Sequence, residues 1–283
     1  VAAEARPRRN LEAVARELRY RFLRSLVERG EAGKVATGHT ADDQAETVLG
    51  RLLRGSGTRG LAGIYPVVGG WLVRPLLEQR RAALRHWLAA QAIPWREDSS
   101  NRDLRRTRNR LRAELLPLLE AENPRLVEQL AATAEVARDE ERHWERRTAE
   151  LLARHLEEQT LSGRPIWKLP LLPFVQLDRA EQRRLLRAAA RATGSARLDL
   201  PHVEALRQLA AGQSGRRIRL PGLEVARVFD WLQFAPGALP APEGFEYQVS
   251  VPGACIIPAT GTCIRFNFVG RDQAEPGLSL IHI

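Results

Sequence analysis

The chain has 283 residues, 44% hydrophobic and 28% charged, the balance of an ordinary globular protein. Its 21 Gly and 17 Pro are neither periodic nor clustered, which excludes fibrous and disordered classes, and no apolar run reaches the roughly 18 residues needed to cross a membrane. The formal net charge of +10 predicts attraction to polyanions.

Asn10 to Arg29 reads as a helix, because Leu11, Val14, Leu18, Phe22 and Leu26 recur at helical spacing and Gly30 stops it. Lys34 to Gly38 reads as a short buried strand. His39 or Thr40 then caps a second helix through Arg54. This order predicts an α/β unit with a parallel sheet. A Gly-rich loop, Gly55 to Gly63, leads to a strand at Trp71 to Arg74 and a helix over 78–91. The polar loop EDSSNRDL (97–104) precedes a helical stretch, Leu104 to Leu119. Asn123-Pro124 then opens a long helix of about 50 Å, with Val127, Leu130, Ala134, Ala137, Trp144, Leu151 and Leu152 as its apolar stripe.

Gly163 to Pro173 interrupts the helical pattern. Helices are expected near 179–192 and 201–211, then a hairpin from Ile218 to Phe234 turning at Pro221-Gly222. PGALPAPE (236–243) is a linker by composition, and strands are expected at Phe245 to Val251 and Cys263 to Phe268. These elements predict three domains: 1–122, of α/β type with a parallel sheet; 123–235, rich in α-helix; and 243–283, a small partial β domain ending in the apolar GLSLIHI.

Charge is distributed in blocks. Residues 1–120 hold 23 Lys/Arg against 14 Asp/Glu, residues 121–160 hold 6 against 10, and residues 161–235 hold 13 against 6. Two basic regions flank an acidic one, as expected of a chain that grips a polyanion in two places. Of the 44 basic residues only Lys34 and Lys168 are lysine. Coding bias is the simplest reading of that preference. Two Cys form no disulfide framework, and VAAEARPRRN does not open like a secretory leader, so cytoplasmic residence is expected.

Three segments can carry chemistry. The first is GHTADDQAET (38–47), directly after a predicted strand. His39, Asp42 or Asp43, and Glu46 are spaced to share one helical face. The carboxyl end of a strand beside a helix N-terminus is where open α/β sheets bind ligands. Carboxylates there suit Mg²⁺ or a cationic amine, and His39 suits a phosphate contact or a proton shuttle. Acidic residues in a first turn also simply complement the helix dipole.

The second segment is Arg54 to Gly60, where Gly55, Ser56 and Gly57 beside Arg59 could let backbone N–H groups approach an anion. A plain turn is the ordinary alternative. The third segment is Arg96 to Arg112, with seven Arg in 17 residues. On a helix Arg105, Arg108 and Arg112 align to meet phosphates, although a solvated face has the same pattern. Trp87 and Trp95 are expected to pack in a core, with base stacking as the alternative.

GHTADDQAETVLGRLLRGSGTRGLAGI, REDSSN, RTRNRLRAELLPLL and NLEAVARELRYRFL together resemble the signature blocks of the bacterial tRNA(Ile)-lysidine synthases, within the PP-loop (N-type) ATP pyrophosphatases. The resemblance is strong over residues 10–125, architectural over 126–235, and extends to EYQVSVPGACIIPATGTCIRF, which is similar to the family's C-terminal β domain. It implies a Rossmann-like PP-loop fold and a ligase using ATP and Mg²⁺. The implied substrates are free lysine and isoleucine tRNA with a CAU anticodon, and a homodimer is allowed. In such enzymes ATP adenylates the C2 carbonyl oxygen of the wobble cytidine, and the ε-amine of lysine displaces AMP.

Carried onto this chain, the resemblance implies that His39, Asp42, Asp43 and Glu46 are catalytic, with Asp43 and Glu46 also holding the metal. Gly55, Ser56, Gly57 and Arg59 would line the ATP and lysine site. Arg105, Arg108, Arg110 and Arg112 would hold tRNA. The rivals are a PP-loop tRNA thiolase and a non-catalytic RNA-binding protein. Thiolation is disfavoured because no Cys precedes Cys255, and Cys255 and Cys263 are expected to pack as small hydrophobes.

The family's SGGxDS pyrophosphate loop and first strand are not found, and the chain has no Met; the expectation is an N-terminally truncated fragment. The 283-residue chain alone is therefore expected to give no ATP-dependent lysine incorporation into tRNA. A radiolabel transfer assay checks this, and appreciable turnover contradicts it.

Overall fold

The computed structural model describes residues 11–96, 103–161, 163–195, 198–239, 248–257 and 262–268. Most of the polar loop 97–104 and all of GLSLIHI lie outside them. The chain divides into two compact units, Val1–His155 and Leu156–Ile283.

The first unit opens with α1 (Leu11–Glu28), which ends where Gly30 takes φ 75°. Strand β1 (Val35–Ala36) follows, then α2 (Ala41–Leu52) and the single turn α3 (Thr58–Leu61). Strands β2 (Val67–Val68) and β3 (Leu72–Val73) lead to α4 (Arg81–Ala90). The sheet order is β1-β3-β2, with β1 parallel and β2 antiparallel to β3. The expected parallel pairing thus holds for β1 and β3, and β2 was not foreseen.

The expected continuous helix from Leu104 starts instead at Thr107 and carries a π turn within it. One turn, α5 (Thr107–Arg110), passes into a π turn over Leu111–Leu115, then into α6 (Leu116–Glu122). The Leu116 N–H donates to the Leu111 carbonyl, which accommodates one extra residue in the turn. Helix α7 (Leu126–His155) is the expected long helix, 30 residues or about 45 Å. Val127, Ala134, Ala137 and Leu151 of its stripe are buried. Ala41, Ala45, Leu116 and Val127 form one core cluster, so α7 packs on α2 within the first unit.

The expected helical domain, 123–235, is divided: α7 belongs to the first unit, and the second unit carries a sheet beside its helices. Gly163 to Pro173, the expected interruption, holds β5 (Arg164–Pro170) and the start of a short helix, and β4 (Glu157–Leu161) precedes it without a sequence expectation. The expected hairpin is a three-stranded meander of β6 (Arg217–Leu220), β7 (Leu223–Val228) and β8 (Trp231–Pro236). All five make one antiparallel sheet, ordered β4-β5-β8-β7-β6. Gly222 at φ 73° after Pro221 suits a type II turn between β6 and β7. Helices α8 (Leu171–Val175), α9 (Arg179–Ala192) and α10 (Leu200–Ala211) complete an α+β unit. Little local signal marks these strands: on β5 only Ile166 and Leu169 are fully buried, three residues apart rather than two, and β4 is exposed throughout.

The last strands are β9 (Gly253–Ile257) and β10 (Thr262–Phe266), an antiparallel pair. The first lies later than expected: residues 248–250 are not strand, and 245–247 fall outside the described residues. Cys255 pairs with Ile264 and Cys263 with Ile256, so the two thiols point to opposite faces. Cys263 is exposed, contrary to the expected packing. Trp87 and Trp95, expected in a core, are 56% and 45% exposed. Among the described residues no helix is long and apolar enough to cross a membrane.

Phe234 is fully buried on β8 opposite Trp167 and Val225. Phe234→Ala should cost about 3–5 kcal/mol through lost burial and a residual cavity. Urea unfolding of the second unit measures it, and a loss below about 1 kcal/mol contradicts this packing.

Candidate active site

The site begins where β1 ends. The Thr37 N–H donates to the Val73 carbonyl (3.0 Å), and the Thr37 hydroxyl lies 3.0 Å from His39 Nδ1. Thr40 is the N-cap of α2, and a capping box joins it to Asp43. Asp43 Oδ2 accepts from the Thr40 N–H and hydroxyl, each at 2.9 Å. That fixes the Asp43 rotamer and leaves Oδ1 for other partners.

Three guanidiniums converge there. Asp43 Oδ1 accepts from Arg81 Nη2 (3.0 Å), Arg108 Nη2 (2.8 Å) and Arg112 Nη2 (3.2 Å). Glu46, one turn on, accepts from Arg112 Nε at Oε1 (2.6 Å), and from Arg108 Nε (2.7 Å) and Arg112 Nη2 (3.0 Å) at Oε2. Asp43 and Glu46 are both buried. Elements α2, α4 and the α5–π segment thus meet at one charged cluster, two negative against three positive.

Asp42 turns elsewhere. Its Oδ2 accepts from the Arg81 N–H (2.7 Å) at the start of α4, and Oδ1 lies 3.5 Å from Arg80 Nε. Arg80 also reaches Glu120 (2.6 Å) and Glu128 (2.8 Å), which ties α4 to α6 and α7. His39 precedes the cap and is not on the helical face shared by Asp43 and Glu46. Burial, then the nearby Arg74, hold its pKa below the ordinary value against the opposing pull of Asp43. Its imidazole is neutral at neutral pH, suited to accepting a proton or a hydrogen bond.

In this structure the carboxylate pair presents no open oxygen to Mg²⁺, the metal expected on Asp43 and Glu46. All four oxygens already accept from guanidiniums or Thr40, whereas Mg²⁺ needs carboxylate oxygens in a near-octahedral shell. Among the described residues no group of three or more His, Cys, Asp or Glu could hold a metal.

The Gly-rich loop is braced from inside. The Gly55 and Ser56 N–H groups already donate to the Leu52 and Arg51 carbonyls, so neither is turned to an anion. Arg51 Nη1 donates to the Gly60 and Gly63 carbonyls, each at 2.9 Å. A Cβ at Gly60 would sit 2.3 Å from the Ser56 Cβ, so the loop closes on itself there. Gly57 is the N-cap of α3. Arg59 faces α7, 3.4 Å from Glu141 and 3.8 Å from Glu145.

The four candidate Arg divide. Arg108 and Arg112 enter the carboxylate cluster. Arg105 is 92% exposed beside Asp103, and Arg110 is exposed. Arg81 is the residue that sequence reasoning missed. Its signal was the Arg80-Arg81 doublet at a helix N-terminus, where cations oppose the dipole unless carboxylates meet them. The second unit has a related cluster: Glu204 accepts from Arg183 (2.6 Å), Arg207 (2.9 Å) and Arg179 (3.2 Å). Arg183 foremost holds the Glu204 carboxyl down at about 2.

Comparison with known proteins bears on both units. A PP-loop domain model matches residues 1–119, and a TilS substrate-binding domain model matches residues 169–232. The tRNA(Ile)-lysidine synthase of Solibacter usitatus is 42% identical over 270 residues, covering 94% of this chain and 60% of that protein. The same-named proteins of Geobacillus kaustophilus and Geobacter sulfurreducens are 36% and 38% identical, over 87% of this chain and 54% and 53% of theirs. The chain thus spans little more than half the length of these relatives.

Burial pushes the Asp43 carboxyl up, but the Thr40 N–H, Arg81 and Arg108 outweigh it and hold the pKa below the ordinary value. A depressed folded pKa contributes stability that is present above the unfolded value, about 3.9, and is lost as pH falls through the folded one. Melting temperature should therefore drop below about pH 4, and Asp43→Asn should flatten that acid limb while lowering stability at pH 7. An unchanged acid limb in the variant contradicts the pairing.

Proposed function

Because the chain belongs to the tRNA(Ile)-lysidine synthase family of PP-loop proteins, we propose that it carries the catalytic and substrate-binding parts of an ATP-dependent tRNA ligase. The reaction joins lysine to the wobble cytidine of isoleucine tRNA with a CAU anticodon. ATP adenylates the C2 carbonyl oxygen with release of diphosphate, and the lysine ε-amine then attacks C2 and expels AMP. The observation that carries this reading is the Asp43–Glu46 pair, held by Arg81, Arg108 and Arg112 at the carboxyl end of β1.

Each residue has a task that follows from its surroundings. Asp43 and Glu46 offer the substrate amino acid the negative charge an ammonium requires. Arg81 and Arg112 pair with those carboxylates and keep them aimed. His39, kept neutral, accepts a hydrogen bond or proton near the nucleotide. Arg105 and Arg110, exposed on the same segment, meet RNA phosphates. The parallel β1–β3 pair is the part of a Rossmann-like sheet that positions this end of α2. The arginines of α9 and α10 around Glu204 give the second unit a surplus of positive charge for the same RNA. A thiolase reading finds no support, because Cys255 and Cys263 face opposite sides of their hairpin.

The test supplies the gene product carrying this chain with ATP, labelled lysine and isoleucine tRNA transcripts. Incorporation is expected with a CAU anticodon and not with UAU, with lysidine identified by mass spectrometry. Asp43→Asn should reduce transfer about 100-fold or more, because it releases the guanidiniums as well as one charge. Absence of transfer, or equal transfer to the UAU transcript, defeats the reading.

A further inference from the structure

The cluster holds one more cation than it needs. Arg81 and Arg112 alone balance Asp43 and Glu46, and Arg108 makes the total +1. Arg108 is also the most exposed of the three, at 42% against 25% for Arg81 and 28% for Arg112. Through Nη2 and Nε it bridges Asp43 Oδ1 (2.8 Å) and Glu46 Oε2 (2.7 Å). A cationic nitrogen entering from solvent finds that bridge taken.

We propose that Arg108 is an exchangeable cation that occupies the ammonium site and is displaced by an ammonium group of the incoming lysine. The inference rests on the ligase reading above. The exchange keeps the net charge of the cluster at +1, so it costs far less than adding a fourth cation to an unchanged cluster. Arg81 and Arg112 stay in place and preserve the geometry of the carboxylates. Arg112 is anchored by three hydrogen bonds to the pair, Arg108 by two. The displaced guanidinium is left without a carboxylate, at the solvent side of the site. There it can take a phosphate oxygen of the RNA, with the bidentate geometry that an arginine offers and a lysine does not. Amino-acid entry and RNA grip are coupled through one side chain, and the coupling is reciprocal.

The test measures lysine binding by calorimetry, and the lysine KM in the transfer assay, for the gene product carrying this chain and for Arg108→Gln, Arg108→Lys and Arg112→Gln. A resident competitor lowers apparent affinity by the fraction of time it is absent, so Arg108→Gln should tighten lysine binding about three- to tenfold. Arg112→Gln should weaken it. Arg108→Lys, which keeps the fold and the charge but not the two-nitrogen bridge, should tighten it by less than Arg108→Gln. Lysine should strengthen tRNA binding in the parent protein, and this effect should vanish in Arg108→Gln. Lysine binding to Arg108→Gln that equals the parent's or is weaker overturns the proposal; if that variant misfolds, the same outcome in Arg108→Lys overturns it. If the parent transfers lysine to tRNA and these shifts are missing, the exchange alone is refuted. If the parent transfers none, the ligase reading falls.

Discussion

Two ionised carboxylates buried one turn apart on a helix repel each other and lose their hydration, and no fold tolerates that without counter-charges close by. Asp43 and Glu46 impose this demand on the first unit. It is met by guanidiniums from two separate segments, so α4 and the α5–π segment are both drawn to the N-terminal half of α2. The apolar side of α2 meets Leu116 and Val127. One twelve-residue helix therefore anchors a charged site on one face and a dry core on the other. Arg80 repeats the arrangement beneath, holding Asp42, Glu120 and Glu128 together and so fixing where Arg81 begins its helix.

Much of this was legible in the residues. Thr40 and Asp43 form a capping box that can be read from spacing, and the apolar stripe of α7 marks its buried face. The segment 38–47 was legible as a site because it packs more acid into a strand-to-helix junction than a dipole requires. What could not be read was the direction of each carboxylate. Spacing places Asp42 and Asp43 equally near the site, but only the surrounding arginines decide that Asp42 caps α4 while Asp43 turns inward. The metal expectation for Asp43 and Glu46 turns on the same point. A carboxylate pair looks alike in sequence whether magnesium or arginine faces it, and the deciding partners lie 38 to 69 residues away.

The second unit was misread through its edges. Glu157–Leu161 is exposed throughout and shows no alternation, so nothing local marks it as a strand. It forms because β5 offers it a free edge, while β5 itself is held by Ile166 and Leu169 against the sheet. Glu224, buried on β7, accepts from the Leu239 N–H (2.7 Å) and so secures the chain as it leaves β8. The preference for arginine, which composition left as coding bias, has a local use at the two clusters. Arg108 and Arg112 each span two carboxylates through separate nitrogens, a reach that one lysine ammonium does not have.

The π turn at Leu111–Leu115 sets a phase. An extra residue in one turn rotates everything beyond it by about 100° relative to a continuous α-helix. Arg108 and Arg112 can then look toward α2's acidic face while Leu116 still reaches its apolar one. An alignment or a redesign that forces ordinary helical periodicity from Thr107 to Glu122 would put one of those two sets out of register. The length of this segment, more than its composition, is what lets a single stretch of chain serve both the site and the core.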